Sequence, residues 1–172
     1  AYALEVLAEL FVSGGTSHLY RSLVVDQGIA TGAGAYYRGS SLDFTTFRVY
    51  ASTRPGGDLD ALEAALDAEI EKLLEDGVTA EEVARVQKRM IAEAVYARDS
   101  LTTAVRVFGS ALTTGSTIED VEGWPERIAR VTPESVLDAA RLVFDRTQSV
   151  TGRLVPAGPS AAGAAVTHGS AG

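Results

Sequence analysis

Cysteine is absent from this 172-residue chain. That excludes disulfides, thiolate metal sites and a cysteine nucleophile, and it leaves the redox compartment open. Histidine is scarce: His18 and His168 are the only two, and neither has a second imidazole one helical turn away. A zinc peptidase needs paired neutral imidazoles on one helix face with a carboxylate, typically H-x-x-E-H and a later Glu. No such group can be assembled from this chain alone. Positive charge is also in deficit, with 15 Lys and Arg against 23 Asp and Glu and a formal charge of −8. Nucleic acid and anionic membranes both require clustered Lys and Arg, so this balance argues against either as partner. No apolar run approaches the ~18 residues of a membrane-spanning helix. No basic-then-apolar leader opens the chain, but a helical pattern starts directly after Ala1. A cut from a longer polypeptide is therefore expected, and the missing leader carries no information on compartment.

What is present reads as one soluble domain large enough to bury a core, with 46% apolar residues to fill it. Leu4, Leu7, Ala8 and Phe11 fall at helical spacing in Tyr2–Val12 and stop at Gly14-Gly15. Thr16 is the expected N-cap of a second helix, with Leu19, Leu23 and Val24 on one face and Gly28 as its stop. Ile29–Tyr37 reads as extended. Phe44–Thr53 alternates Phe44, Thr46, Arg48 and Tyr50 against Thr45, Phe47, Val49 and Ala51, and Gly39-Ser40-Ser41 supplies the hairpin connection. After Pro55-Gly56-Gly57, Asp58 caps a helix carrying Leu59, Leu62, Leu66, Ile70 and Leu73, stopped by Gly77. Thr79-Ala80-Glu81-Glu82 is a capping box opening a long helix through Val83, Val86 and Met90. A break near Asp99-Ser100, a helix to Thr114-Gly115, short helices over Ile118–Val131 with a reset at Trp124-Pro125, and a helix from Thr132-Pro133-Glu134 to Phe144 follow. Ser149–Val155 alternates as a closing strand, and from Ala157 a Gly/Ala/Ser-rich tail shows no core pattern. The order predicts an α+β domain over residues 1–156, with a mixed, mostly antiparallel sheet covered by helices on one face.

A search for chemistry yields little. Gly28-Ile29-Ala30-Thr31-Gly32-Ala33-Gly34 contains G-x-x-x-G-x-G, yet a helix precedes it and a strand follows, the reverse of a dinucleotide loop. There is no Walker lysine and no G-x-S-x-G elbow. The acids Glu63, Asp67, Glu69, Glu71, Glu81, Glu82 and Glu93 read as solvated helix faces with one-turn ion pairs: Glu69 with Lys72, Glu81 with Arg85 and Arg89 with Glu93. Tyr36-Tyr37-Arg38 is of more interest, because adjacent strand residues point to opposite faces. One tyrosine is expected toward the core and one outward, where it could form a ligand wall.

The block Gly14-Gly15-Thr16-Ser17-His18-Leu19-Tyr20, with the helix ending at Gly28-Ile29-Ala30, resembles the non-catalytic half of the insulinase/pitrilysin family of zinc metallopeptidases, which includes the mitochondrial processing peptidases. There the pattern is roughly G-G-x-S-S-R-L-Y followed by a short helix ending in G-L-A-Y. Tyr2–Leu7, Leu74–Glu82, Thr132–Val136 and Ser149–Pro156 are similar to further segments in the same order. The resemblance implies a processing-peptidase-like metallohydrolase fold, with the chain starting just after the family's first strand. It further implies that zinc sits in a separate, homologous catalytic half. This half would be inactive alone, would close the chamber around a peptide substrate and would supply no metal ligand. For a bacterial member it implies the periplasm. In many members the second half contributes an Arg and a Tyr that hold substrate. Aligned on Gly28, those positions fall on Val24 and Thr31, and neither matches; Arg21 and Tyr36 or Tyr37 could stand in through a changed geometry. These five are the candidate chamber residues. The alternative reading is a scaffold or peptide-binding subunit of the same fold.

Overall fold

A computed structural model describes residues 1–12, 17–39, 41–97 and 100–155. Helix α1 (Tyr2–Val12) leads to a π-helix (Tyr20–Asp26), then strands β1 (Ala30–Tyr37) and β2 (Phe47–Thr53). Helices α2 (Leu59–Asp76), α3 (Ala80–Ala97), α4 (Leu101–Thr113), α5 (Ile118–Glu122), α6 (Trp124–Ala129) and α7 (Pro133–Val143) follow, with a final 3₁₀ turn at Arg146–Gln148.

The strands pair antiparallel, with Tyr36 opposite Arg48, Gly34 opposite Tyr50 and Gly32 opposite Ser52. Because side chains alternate along a strand, Ala33, Ala35, Tyr37, Phe47, Val49 and Ala51 share the other face and pack on the core. Helix α1 covers β1, α2 reaches β2, and α7, α6 and α3 close around α1. This is the α+β arrangement expected, with helices on one side of an antiparallel sheet.

Helix α1 is the centre of the core. Val6, Leu7, Leu10 and Phe11 are almost wholly removed from solvent, with Leu19 and Leu23 of the next segment and Ile128, Val136 and Ala140 of α6 and α7. Phe144 ties two layers together. Its ring meets Phe11 edge-on at 6.0 Å between centroids and Phe47 of β2 at 5.5 Å.

The start signals do what their chemistry requires. Asp58 accepts from the amides of Asp60 and Ala61. Thr79 and Glu82 form their reciprocal box, and Thr132 forms one with Ser135. Gly28 and Gly77 both take positive φ, 62° and 73°, a conformation that is strained for side-chain-bearing residues.

Three expectations change. The second helix is wound as a π-helix, with the Gln27 amide bonded to the Ser22 carbonyl five residues back at 2.8 Å. Ser17 caps it, accepting from the Tyr20 amide at 3.2 Å, while Gly14-Gly15 and Thr16 lie outside the described residues. The closing strand over Ser149–Val155 does not form: among the described residues the sheet has two strands. Here the segment is held by side chains instead: Arg153 bonds Asp60 of α2 at 2.6 Å and Glu63 through its Nε at 2.8 Å. Val150 and Leu154 are left exposed. Of the three one-turn ion pairs, Arg89–Glu93 is present at 3.4 Å, whereas Glu69 accepts a hydrogen bond from the Ser22 hydroxyl at 2.6 Å. The Gly/Ala/Ser-rich tail from Ala157 lies outside the described residues.

Truncation of the central aromatic should expose how far the core depends on α1. Phe11→Ala is expected to lower unfolding free energy by about 3–5 kcal/mol, read by urea denaturation followed by circular dichroism.

Candidate functional site

The exposed face of the sheet is built by strand parity. Tyr36 projects outward from β1 and Arg48 and Tyr50 project outward from β2; all three are exposed. Arg38 donates from Nε to the Tyr36 hydroxyl at 3.4 Å, and Arg48 donates from Nε to Thr46 at 3.3 Å. The Tyr36 hydroxyl also favours the charged form of Arg38, raising its pKa. Between these side chains lie Gly32 and Gly34. The Tyr50 phenol lies over Gly34, where a Cβ would stand 2.8 Å from its oxygen, whereas Gly32 faces open space. Arg54 follows β2, its guanidinium 3.3 Å from where a Cβ at Gly28 would be. The result is a cationic, aromatic face with a flat backbone floor.

A second concavity of about 360 Å³ lies where the π-helix meets α2 and α3, lined by Ser17, His18, Arg21, Ser22, Asp26, Glu69, Lys72 and Glu82. Its groups are engaged with one another. Gln27 donates to Ser22, and Ser22 donates to Glu69, at 2.8 and 2.6 Å. His18 Nε2 lies 3.1 Å from Glu82. Burial pushes the Glu82 carboxyl up, but the amide and hydroxyl of Thr79 and the charges of His18 and Arg85 outweigh it and hold it below the usual Glu value. This cleft locks the first turn of α3 to the π-helix.

The polar residues of α1 form a third constellation. Tyr2, Glu5 and Glu9 recur at steps of three and four, so they share one edge of the helix. Arg127 donates to Tyr2 at 2.6 Å, Trp124 donates to Glu5 at 2.7 Å, and Arg89 pairs with Glu9. Burial raises the Glu5 pKa above the ordinary 4.5, opposed by the Trp124 hydrogen bond. Tyr37 is raised in turn by its own burial and by the Glu5 charge.

Residues 1–90 match the family described as the Peptidase M16 inactive domain. The chain belongs to that family. No curated protein matches the sequence. Solved structures similar in fold include the inactive peptidase domain of a candidate zinc protease from Bordetella parapertussis, at 19% identity and a TM-score of 0.80, covering 91% of this chain and 82% of that one. A candidate zinc protease from Bordetella pertussis Tohama I gives 21% identity and 0.79, covering 91% and 85%. A protease from Helicobacter pylori gives 21% and 0.78, covering 86% of this chain and 35% of that chain. The M16 inactive domain thus spans about a third of the length of the Helicobacter protein it resembles.

Zinc does not fit the residues described. Among them, no group of three or more His, Cys, Asp or Glu could hold a metal ion, and His18 is committed to Glu82. His168 lies outside the described residues.

The five sequence candidates are not brought to one point. Tyr36 and Tyr37 take opposite faces as expected: Tyr36 is exposed, and Tyr37 stacks inward on Phe47 at 6.3 Å. Thr31 sits in a bulge at the far end of β1, its hydroxyl donating to the Ser52 and Thr53 carbonyls. Five strand residues put it ~16 Å from Tyr36. Arg21 lies in the polar cleft, 3.8 Å from Asp26, and Val24 packs against the core. Sequence reasoning passed over Arg48, Tyr50 and Arg54, although alternation had already placed Arg48 and Tyr50 on one face.

A pH series tests the burial of Glu5. Its raised pKa means that the fold favours the protonated form. That contribution is complete below the ordinary Glu value and is lost as pH rises through the folded value. Glu5→Gln keeps an acceptor for Trp124 and removes the buried charge. The variant is expected to melt at or above the wild-type temperature at pH 7 and to lose that advantage near pH 4, read by thermal denaturation across pH.

Proposed function

We propose that this chain is the metal-free half of a zinc endopeptidase, closing the substrate chamber and packing on a separate half that carries the zinc. The observation that carries this reading is the match of its first 90 residues to a peptidase domain described as inactive. The similarity of its fold to the inactive peptidase domain from Bordetella parapertussis supports it. Zinc, when bound in the other half, would supply the activated water for attack on a peptide carbonyl. The contribution of this chain is shape and surface. Its substrate class is peptides held in extended form, limited by chamber volume.

Within that role, the exposed residues Tyr36, Thr31 and Arg21 are the candidates for direct contact with substrate. Val24 and Tyr37 act from behind by fixing the π-helix and β1. In place of an Arg and a Tyr converging on a distant metal, this chain offers a broad wall.

The test is peptide hydrolysis by the intact parent protein, with and without chelator, beside this chain alone. The parent is expected to cleave in a chelator-sensitive manner and the isolated chain to be inert. Hydrolysis by the isolated chain that survives chelation would overturn the proposal. A parent without chelator-sensitive hydrolysis would point to the scaffold reading instead.

A further inference from the structure

The molecule as a whole is acidic, with a formal charge of −8, but its sheet is not. From Gly28 to Gly57 the charged residues are Arg38, Arg48 and Arg54 against Asp43 alone. Among the described residues, none of these three arginines is paired with a carboxylate, whereas Arg89, Arg127, Arg146 and Arg153 all are. Arg106 on α4 and Arg130 at the end of α6 likewise show no ion pair among these residues. What sets the sheet arginines apart is that three stand on one exposed face within a segment holding a single acid, with Arg38 and Arg48 steadied by the Tyr36 and Thr46 hydroxyls.

Spacing makes this a strip. Arg48, Tyr50, Ser52 and Arg54 follow at every second residue, the first three directly opposite Tyr36, Gly34 and Gly32. Arg48 and Arg54 are thus ~20 Å apart, a length matched by about six residues of extended peptide. The open floor at Gly32 admits a peptide backbone, while Tyr50 and Tyr36 offer ring surfaces along its course. A guanidinium binds a carboxylate with directional, paired hydrogen bonds, and a cationic strip on an acidic protein recruits anionic segments selectively.

We propose that the outward sheet face is a binding surface for extended peptide segments bearing carboxylates, with Arg38, Arg48 and Arg54 as the charge-reading residues and Tyr36 and Tyr50 as the packing surface. This rests on the reading of the chain as a chamber wall and adds the substrate class: acidic segments are preferred over neutral ones.

The test is fluorescence anisotropy with this chain and a labelled eight-residue peptide alternating Glu and Thr. A Gln-for-Glu peptide and a single-stranded oligonucleotide of equal length serve as comparators. The Glu peptide is expected to bind more tightly than the Gln peptide, and to weaken as salt rises because the contacts are exposed. Arg38→Gln, Arg48→Gln and Arg54→Gln are each expected to reduce affinity roughly two- to fivefold, in line with exposed ion pairs, and the triple variant more. Arg141→Gln on α7, which is paired with Asp138, is expected to change nothing. Equal binding of the Gln peptide, or indifference to the three substitutions in folded variants, would overturn the proposal. So would equally tight, equally arginine-dependent binding of the oligonucleotide.

The two readings fail separately. A parent that cleaves in a chelator-sensitive manner while this face ignores carboxylates leaves the chamber role standing and sinks the acidic preference. Arginine-dependent binding to a parent without peptidase activity does the opposite.

Discussion

Everything in this domain hangs on the burial of helix α1. An eleven-residue helix with Val6, Leu7, Leu10 and Phe11 sealed from water on several sides has almost no face left for charge. Yet it carries Tyr2, Glu5 and Glu9. The solution is to place all three on one edge and give each a donor from a different part of the chain: Arg127, Trp124 and Arg89. A buried carboxylate without a partner is strongly destabilising, so these contacts fix where α6 and α3 must lie. The helix layer is thereby aligned, and the sheet it supports faces outward in one orientation.

That orientation separates buried from exposed surfaces by strand parity. One set of alternating residues, including Tyr37 and Phe47, merges with the aromatic contacts around Phe144. The other set, Tyr36, Arg48 and Tyr50, meets solvent. A family role without its own metal fits this division. In the polar cleft beside the π-helix, His18, Ser22, Glu69 and Glu82 belong to the structural side, because they are bonded in pairs across three elements, while Arg21 stands exposed at its rim.

Much of this was legible in the residues. Helix starts at Asp58, Thr79 and Thr132 could be read because a side-chain oxygen three residues from an orphan amide has a local, context-free effect. The antiparallel pair and its faces followed from alternation, and the opposed tyrosines from parity alone. Reading failed where structure depends on partners distant in sequence. The π-winding of Tyr20–Asp26 involves Ser22 and Glu69, 47 residues apart. Ser149–Val155 carries a sound strand pattern but takes its position from Arg153 and the acids of α2. The sheet arginines were visible individually. Their significance came from the strand register, which gathers them on one exposed face.

The last described segment carries a consequence of its own. Backbone ladders resist ions in solution, but the attachment of Ser149–Val155 to α2 is chiefly coulombic and open to water. Concentrated electrolyte should therefore loosen this strap well before it disturbs the aromatic interior. Residues 149–155 can then part from α2 as a separate step of low energy while the aromatic interior keeps its form.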